Sequence, residues 1–156
     1  MHNMTINTKN GAVKLFEKNY IITKNTTKRD FLNSPLQHDI KSQAEYENGH
    51  SNYSLNPFCI DMDNKSFACL IIYFYPDEKI NMIDICISDT SEDEWNCEKE
   101  TARKKLHDDF LKTILEEHSY VDSNGNILYK YDWGHICSEY DPRSGVSTIN
   151  INYYQN

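Results

Sequence analysis

Alternation of hydrophobic and polar residues predicts that this chain is built mainly from β-strands. Three strand-like segments in the middle of the chain are joined by short polar turns: residues 57–62, 67–75 and 79–88. Such spacing predicts an antiparallel meander. The middle segment, FACLIIYFY, is apolar on both faces, so we expect a central strand covered on each side. In the third segment Ile83, Ile85 and Ile87 share one face. Asp84 interrupts this apolar segment and is expected to face either solvent or a partner.

Further strands are expected on both sides of the meander. Residues 12–23 have a strand-like pattern that breaks at Lys18-Asn19, as it would at a turn or bulge. Near the C-terminus, residues 127–131 form another candidate strand. After it, residues 133–140 and 146–154 predict a hairpin around the turn residues Asp-Pro-Arg-Ser-Gly.

Two segments carry the signals that begin a helix. Thr27 can cap a short helix near residues 27–33. A second helix, from about residue 92 to residue 117, begins at the capping-box pair Ser91 and Glu94. Along it, apolar residues recur at spacings of seven and then four residues: Trp95, Ala102, Leu106, Phe110 and Ile114. This spacing predicts an amphipathic helix whose apolar stripe packs against the sheet.

The remaining segments are polar. Residues 36–56 show neither helical nor strand periodicity, which predicts a long loop that contains a short strand around residues 44–46 or acts as a mobile binding loop. Residues 1–10 are expected to form a flexible N-terminus. Strands on both sides of one long helix place residues 1–156 in the α+β class, as a single domain with an antiparallel sheet and the long helix on one face.

Length and composition are those of one folded domain. The chain has 156 residues, of which 38% are hydrophobic, and this supplies enough apolar area for a core. No apolar run approaches the roughly 20 residues that span a bilayer. The N-terminus lacks the apolar segment of a secretory signal, so we expect a cytoplasmic protein. The five cysteines form no CxxC pair, which favours reduced and mostly buried thiols.

Charge is distributed unevenly along the chain, whose net charge is −8. Residues 1–41 hold seven basic and three acidic residues, whereas residues 77–100, the acidic tract, hold nine acidic residues against Lys79 and Lys99. A field of this sign repels phosphate backbones and anionic lipids, which argues against direct nucleic-acid or membrane binding and favours a basic protein partner.

An aromatic anchor with a charged rim is predicted as the partner-binding site: Asp89, Glu92, Asp93, Glu94, Trp95 and Glu98. The alternative is that these acids serve only solubility.

Residues with catalytic or metal-binding chemistry are present but do not converge. His107, Asp108 and Asp109 are consecutive on the long helix and point in different directions, so His107 is interpreted as a helix-flank residue beside solvated acids. His135 and Cys137 share one face of a strand, but a zinc site needs two more ligands from neighbouring strands. No phosphate-binding or hydrolase motif occurs, so we predict no catalytic centre, metal or cofactor. A small hydrolase that uses His107 or His135 with nearby carboxylates is the alternative.

Three stretches carry a family resemblance: TTKRDFLNSPL (26–36), the Trp95 helix with ARKKLHDDFLK (102–112), and YDWGHICSEYDPRSGVSTININY (131–153). Together they resemble small bacterial immunity proteins of contact-dependent growth inhibition and related polymorphic toxin systems. The resemblance covers under half of the chain and carries no functional residue with it. It implies a cytosolic inhibitor, encoded beside a toxin, that blocks the catalytic domain of that toxin.

The leading hypothesis is therefore an immunity protein that binds a cognate toxin with a basic surface, of the nuclease type, by charge complementarity. A ligand-binding or assembly module is a further alternative. An apolar cavity or a self-complementary dimer face would be the feature that favours it.

Overall fold

The computed structural model describes residues 3–61, 66–88, 97–115 and 120–155. Twelve strands are found in these ranges: β1 (Met4–Ile6), β2 (Val13–Leu15), β3 (Tyr20–Ile22), β4 (Ile40–Glu45), β5 (Ser51–Leu55), β6 (Phe58–Asp61), β7 (Ser66–Phe74), β8 (Ile80–Ser88), β9 (Tyr120–Val121), β10 (Ile127–Tyr131), β11 (Gly134–Asp141) and β12 (Val146–Tyr153). The α-helices of the same ranges are α1 (Lys28–Leu32) and α2 (Cys97–Ile114), and a 3₁₀ turn spans Pro35–Asp39. The fold is α+β, as the sequence predicts. In these ranges no helix has the length and apolar character needed to cross a membrane.

Nine of the strands form one antiparallel sheet. Its order is β4-β5-β7-β8-β12-β11-β10-β9, and β6 pairs with the start of β7. The meander of β6, β7 and β8 and the hairpin of β11 and β12 are confirmed. At the centre of the sheet, residues 82–85 of β8 pair with residues 149–152 of β12. The three N-terminal strands form a separate small sheet.

The hydrophobic core lies on one face of the large sheet. Ile83, Ile85 and Ile87 point to this face and are buried, as the alternation predicts. Every second residue of β7 joins them on that face: Ala68, Leu70, Ile72 and Phe74. Helix α2 packs over β8, β11 and β12 and adds Phe110 and Leu111 to the same cluster. Burial of one large aliphatic side chain contributes about 1.5–3 kcal/mol, so this cluster holds the helix on the sheet.

The opposite face of β7 is not covered by any element in the described ranges. We expected this strand to be enclosed on each side because it is apolar on both faces. The strand is central in the sheet, but Cys69, Ile71 and Tyr73 are only half-buried. The prediction of two covered faces is therefore wrong for the described residues. The uncovered face forms part of a groove, in which Cys69 and Ile71 are lining residues.

Residues 36–56 form a 3₁₀ turn and a hairpin instead of the long loop that we expected. Strand β4 pairs with β5 in antiparallel register from Glu45/Ser51 to Ile40/Leu55. Because β4 is an edge strand with mostly exposed side chains, its sequence carries no hydrophobic period. Strand β5 does alternate, but Ser51 occupies one of its three buried positions and obscures the pattern.

Residues 3–10 are part of the fold, in contrast to the flexible N-terminus expected for residues 1–10. Met4 and Ile6 of β1 are buried, and β1 pairs with β2. The indole Nε1 of Trp133 donates a hydrogen bond to the carbonyl oxygen of Thr8 at 2.8 Å, which fastens this segment to the turn before β11. A three-residue strand needs only two inward side chains, so the polar composition of the segment concealed it.

Two local predictions near the N-terminus are confirmed. The Thr27 hydroxyl accepts a hydrogen bond from the Asp30 amide and the Asp30 carboxylate accepts one from the Thr27 amide, both at 3.1 Å, so a capping box begins α1. The break at Lys18-Asn19 is the turn between β2 and β3, where Asn19 has a φ of 47°.

Helix α2 packs with a different face from the one predicted. Residues 92–96 and 116–117 of the expected helix lie outside the described residues. Of the expected stripe, Phe110 is buried and Ile114 is partly buried, whereas Ala102 and Leu106 are exposed. The buried face follows the same spacing with mostly polar residues: Glu100, Arg103, His107 and Leu111. A hydrophobic pattern cannot reveal such a face, because its buried side chains are mostly polar. They can be buried because groups on the sheet form hydrogen bonds with them.

Candidate functional site

The open face of the large sheet forms a concave groove of about 800 Å³. Side chains from β4, β5, β7, β8, β12, β11 and β10 line it, so the groove extends across nearly the whole sheet. Ligand pockets in proteins commonly have volumes of roughly 300–1,000 Å³. Because side chains alternate between the two faces of a strand, the groove residues lie one position along from the core residues.

Strand register fixes which groove side chains are neighbours. Across the middle of the sheet, from β7 to β10, one row reads Ile71, Asp84, Asn150, Cys137 and Leu128. The next row of register partners reads Tyr73, Met82, Asn152, His135 and Lys130, of which Met82, Asn152 and His135 line the groove. Neighbouring strands lie about 4.8 Å apart, so each row spans about 19 Å. The first row therefore has a polar centre between apolar ends, over a length that suits an extended segment of another molecule.

Asp84 is the acidic centre of the groove. Tyr73 Oη donates a hydrogen bond to Asp84 Oδ2 at 3.0 Å, and the side-chain amide of Asn150 donates one to Oδ1. The same amide donates to Thr148 Oγ1 at 3.0 Å, which fixes its orientation. Burial raises the pKa of Asp84 above its usual range, although the two hydrogen bonds oppose this shift. Both donors are neutral, and in the described part of the chain Asp84 has no ion-pair partner.

The groove as a whole is acidic. Among its described lining residues are three carboxylates, Asp84, Glu139 and Asp141, and one ammonium, that of Lys41. Burial, followed by the negative charges of Asp84 and Asp141, raises the pKa of Glu139. Backbone hydrogen bonding from Arg143 lowers the pKa of Asp141, and the exposed guanidinium of Arg143 lies 3.5 Å from that carboxylate. Asp84 and Glu139 therefore leave a negative potential near the middle of the sheet.

His135 and Cys137 share the groove face, as their spacing predicts. Burial raises the pKa of Cys137 to about 11, so its thiol is protonated at neutral pH and is a poor nucleophile. Burial also lowers the pKa of His135, which favours its neutral imidazole. No cluster of three or more His, Cys, Asp or Glu side chains that could hold a metal ion occurs among the described residues.

His107 lies beneath α2, on the core face of the sheet, and is fully buried. The interpretation of this residue as a helix-flank histidine is therefore wrong. Its Nε2 accepts a hydrogen bond from the backbone N–H of Ile87 at 2.9 Å, which requires a neutral ring with the proton on Nδ1. Burial, followed by the positive charges of Arg103 and Lys104, lowers the pKa of His107 to about 3. The ring is a structural acceptor on the face opposite the groove.

Polar side chains of α2 replace strand partners where β8 and β12 separate. Ile87 and Ser147 would face each other if the register continued beyond the last pair of these strands. The Ile87 amide binds His107 instead, and the Ser147 amide donates to Glu100 Oε2 at 2.8 Å. Glu100 is fully buried and forms an ion pair with Arg103. The helix is thus fixed to the sheet by acceptors for two buried amides.

Asp108 also differs from its expected role as a solvated acid. Its carboxylate accepts a hydrogen bond from Ser138 Oγ on β11 at 2.6 Å and forms an ion pair with Lys104 at the same distance. Asp109 is exposed, as expected, and pairs with Lys105 on the outer side of the helix. The consecutive acids therefore have different roles, because only Asp108 reaches the sheet.

The residues predicted to contact a partner lie largely outside the described residues. Five of them fall within the segment 89–96: Asp89, Glu92, Asp93, Glu94 and Trp95. Glu98 lies in α2, but its side chain is also outside the described part of the structure. Their role in binding stays a prediction. The groove itself was not predicted, although two signals point to it: β7 is apolar on both faces, and Asp84 interrupts the next strand.

Comparison of the chain with known protein families, characterised proteins and solved structures found no match. The role of the groove is therefore inferred from its geometry and charge.

Proposed function

We propose that this protein is a non-catalytic inhibitor of the immunity-protein type, which acts in the cytoplasm and neutralises a cognate toxin domain with a basic surface, of the nuclease type. The observation that carries the proposal is the acidic groove on the open sheet face, in which Asp84 and Glu139 have no described ion-pair partner. A basic segment of the toxin would occupy the groove and supply the missing positive charge. Inhibition then requires only that the basic surface of the toxin is covered.

Burial and charge together support a basic occupant. The raised pKa values of Asp84 and Glu139 show that their ionised forms are costly in the free protein, and a nearby cation would remove part of that cost. Beside them, Ile71, Met82 and Leu128 are half-buried and supply apolar contact area. Hot spots of binding commonly combine a desolvated charge with such apolar surroundings. The acidic tract is a second contact region in this proposal, through its long-range attraction for a basic protein.

A small-molecule binding role is the second candidate, because the groove volume of about 800 Å³ falls in the range of ligand pockets. An organic cation with an apolar body would match the same side chains. The hydrolase alternative has less support from the geometry. His107 is buried on the core face and bonded to a backbone amide, so of the two candidate histidines only His135 lines the groove.

Binding to the protein encoded beside this chain tests the proposal. Calorimetry should compare the wild type with Asp84→Asn and Glu139→Gln, each of which removes a charge and keeps the side-chain shape. We expect each substitution to raise the Kd about thirtyfold or more, since truncating one partner of a desolvated charge pair costs about 2 kcal/mol or more. Asp109→Asn is the matched control, because that carboxylate is exposed and paired with Lys105 on α2.

The control should bind like the wild type. Equal binding by all four proteins would contradict the role of the groove, and absence of binding to the neighbouring protein would contradict the inhibitor proposal. A small organic cation that binds the wild type, but not Asp84→Asn, would favour the second candidate instead.

A further inference from the structure

We propose that Cys69 and Cys86 form a redox-active dithiol on the groove face, which a low-molecular-weight disulfide converts reversibly into an intramolecular disulfide. The two residues are direct partners in the antiparallel register of β7 and β8. Both are half-buried, line the groove and are not joined in a disulfide. This inference is independent of the inhibitor proposal.

The hydrogen-bonding pattern of β8 gives the separation of the two cysteines. The amide of Ile87 binds His107 and so points away from β7. Amides alternate in direction along a strand, so the Cys86 amide points toward β7, which makes Cys69 and Cys86 a hydrogen-bonded pair. In such a pair the Cα atoms are about 5.5 Å apart, and disulfides join Cα atoms that are roughly 4.4–6.8 Å apart. The backbone spacing therefore permits the bond.

Formation of the bond nevertheless strains the sheet. Directly opposed Cβ atoms of a hydrogen-bonded pair lie about 5.5 Å apart, whereas Cβ atoms in a disulfide are separated by about 4 Å. The two strands must therefore approach each other locally by about 1.5 Å. A strained disulfide is reduced more easily than a relaxed one, so this pair suits a reversible switch better than a permanent cross-link. Oxidation also removes the weak hydrogen bond that Cys86 Sγ donates to the Ser147 carbonyl oxygen at 3.7 Å.

No other pair of described cysteine side chains has this arrangement. Cys59 pairs with Phe67, and Cys137 lies between Asn150 and Leu128. Within the described residues, Cys69 and Cys86 are thus the only cysteines in direct cross-strand register. Along β8, Cys86 lies two positions from Asp84 on the same face, so the cross-link would form beside the acidic centre of the groove.

The chemistry is a two-step thiol–disulfide exchange with glutathione disulfide. One cysteine loses its proton to water, and the thiolate attacks the glutathione disulfide, which gives a mixed disulfide and one glutathione. The second thiolate then attacks the protein sulfur of the mixed disulfide and releases the second glutathione. The two protein thiols together lose two protons and two electrons, which glutathione disulfide takes up as it becomes two glutathione molecules.

Oxidation of the folded full-length protein by glutathione disulfide tests the inference. Peptide mapping by mass spectrometry should show a Cys69–Cys86 cross-link with loss of two hydrogen atoms, and excess glutathione should reverse it. The cross-link should also form in the variant Cys59→Ser/Cys97→Ser/Cys137→Ser, which retains only the proposed pair. Cys69→Ser or Cys86→Ser should abolish it and leave glutathione attached to the remaining cysteine. If the triple variant does not fold, the wild-type map decides the question.

Phenylarsine oxide gives a second measurement, because its arsenic bridges two neighbouring thiols with release of one water molecule and tolerates a wider spacing. The reagent should protect both cysteines from alkylation in the wild type. In each single-serine variant it should leave the remaining cysteine of the pair open to alkylation. Absence of a Cys69–Cys86 disulfide in the folded wild type, or separate stable attachment of glutathione to each cysteine, overturns the proposal whatever the arsenical does.

Discussion

Replacement of His107 by glutamine should change how the stability of the protein depends on pH. The folded-state pKa of about 3 lies far below the usual histidine value of about 6.5. The native state therefore favours the neutral ring, and the stability gained from this is complete above pH 6.5 and is lost as the pH falls toward 3. For a shift of this size, the contribution of His107 decreases by about 2 kcal/mol between pH 7 and pH 5.

Glutamine is the informative substitute because its side-chain carbonyl can still accept the hydrogen bond from Ile87 while it does not titrate. At pH 7 the variant should be less stable by about 1–3 kcal/mol, the cost of an imperfectly satisfied buried polar group. At pH 5 the difference should shrink by about 2 kcal/mol. Urea unfolding at pH 5, 6 and 7 measures it, and His38→Gln, a substitution at an exposed histidine, controls for the effect of the exchange itself at pH 7.

Other titrating groups do not obscure this test. Asp84, Glu139 and His135 also have shifted pKa values, but they are present in both proteins and cancel in the difference between them. A free-energy difference between the wild type and His107→Gln that stays constant from pH 7 to pH 5 would refute the assignment of His107 as a buried neutral acceptor.

Four further predictions follow from the same contacts. Arg103→Met should cost about 3–5 kcal/mol in urea unfolding, because it leaves the buried carboxylate of Glu100 without its counter-ion, and adding Glu100→Gln should recover part of that loss. Gly134→Ala should lower the Tm clearly, since a Cβ there would lie 1.9 Å from the carbonyl oxygen of Asn152 and break the β11–β12 pairing; an unchanged Tm would contradict this geometry. Reversal of the acids 92–94 to lysine should weaken toxin binding and slow association, most of all at low salt, whereas unchanged binding would make the acidic tract a solvated surface. Toxin binding should also weaken as the pH falls from 8 to 5, because the groove carboxyls have raised pKa values and lose their charge earlier than ordinary carboxyls do; calorimetry across this range with the neutral groove variants as controls would show it.

The sheet was largely predictable because its central strands obey a period of two. The alternation of Ile83, Ile85 and Ile87 located the core face of β8 correctly, and the turn residues at 141–145 located the β11–β12 hairpin. Where the side chains of a strand are mostly exposed, hydrophobic and polar residues no longer alternate with a period of two. Strand β4 is an edge strand with exposed side chains, so hydrophobicity carries no information about it.

The packing face of α2 was not predictable from hydrophobicity for a different reason. Glu100 and His107 are buried because two amides at the divergence of β8 and β12 need acceptors, and that need arises only in the assembled fold. The groove also depends on tertiary structure. The apolar run of β7 indicates two buried faces, and only the arrangement of the other described elements shows that, among them, nothing covers the second face.

Alternation along β8 also separates the core side chains from the groove side chains. Core residues such as Ile85 are fully buried, whereas Asp84 and Cys86, one position away, line the groove. A substitution on the groove face therefore changes charge or chemistry without opening a cavity in the core, which is the usual source of large losses of stability. An inhibitor that must follow changes in its partner would benefit from this separation, because its binding surface could vary while the isoleucines behind it keep the sheet and α2 together.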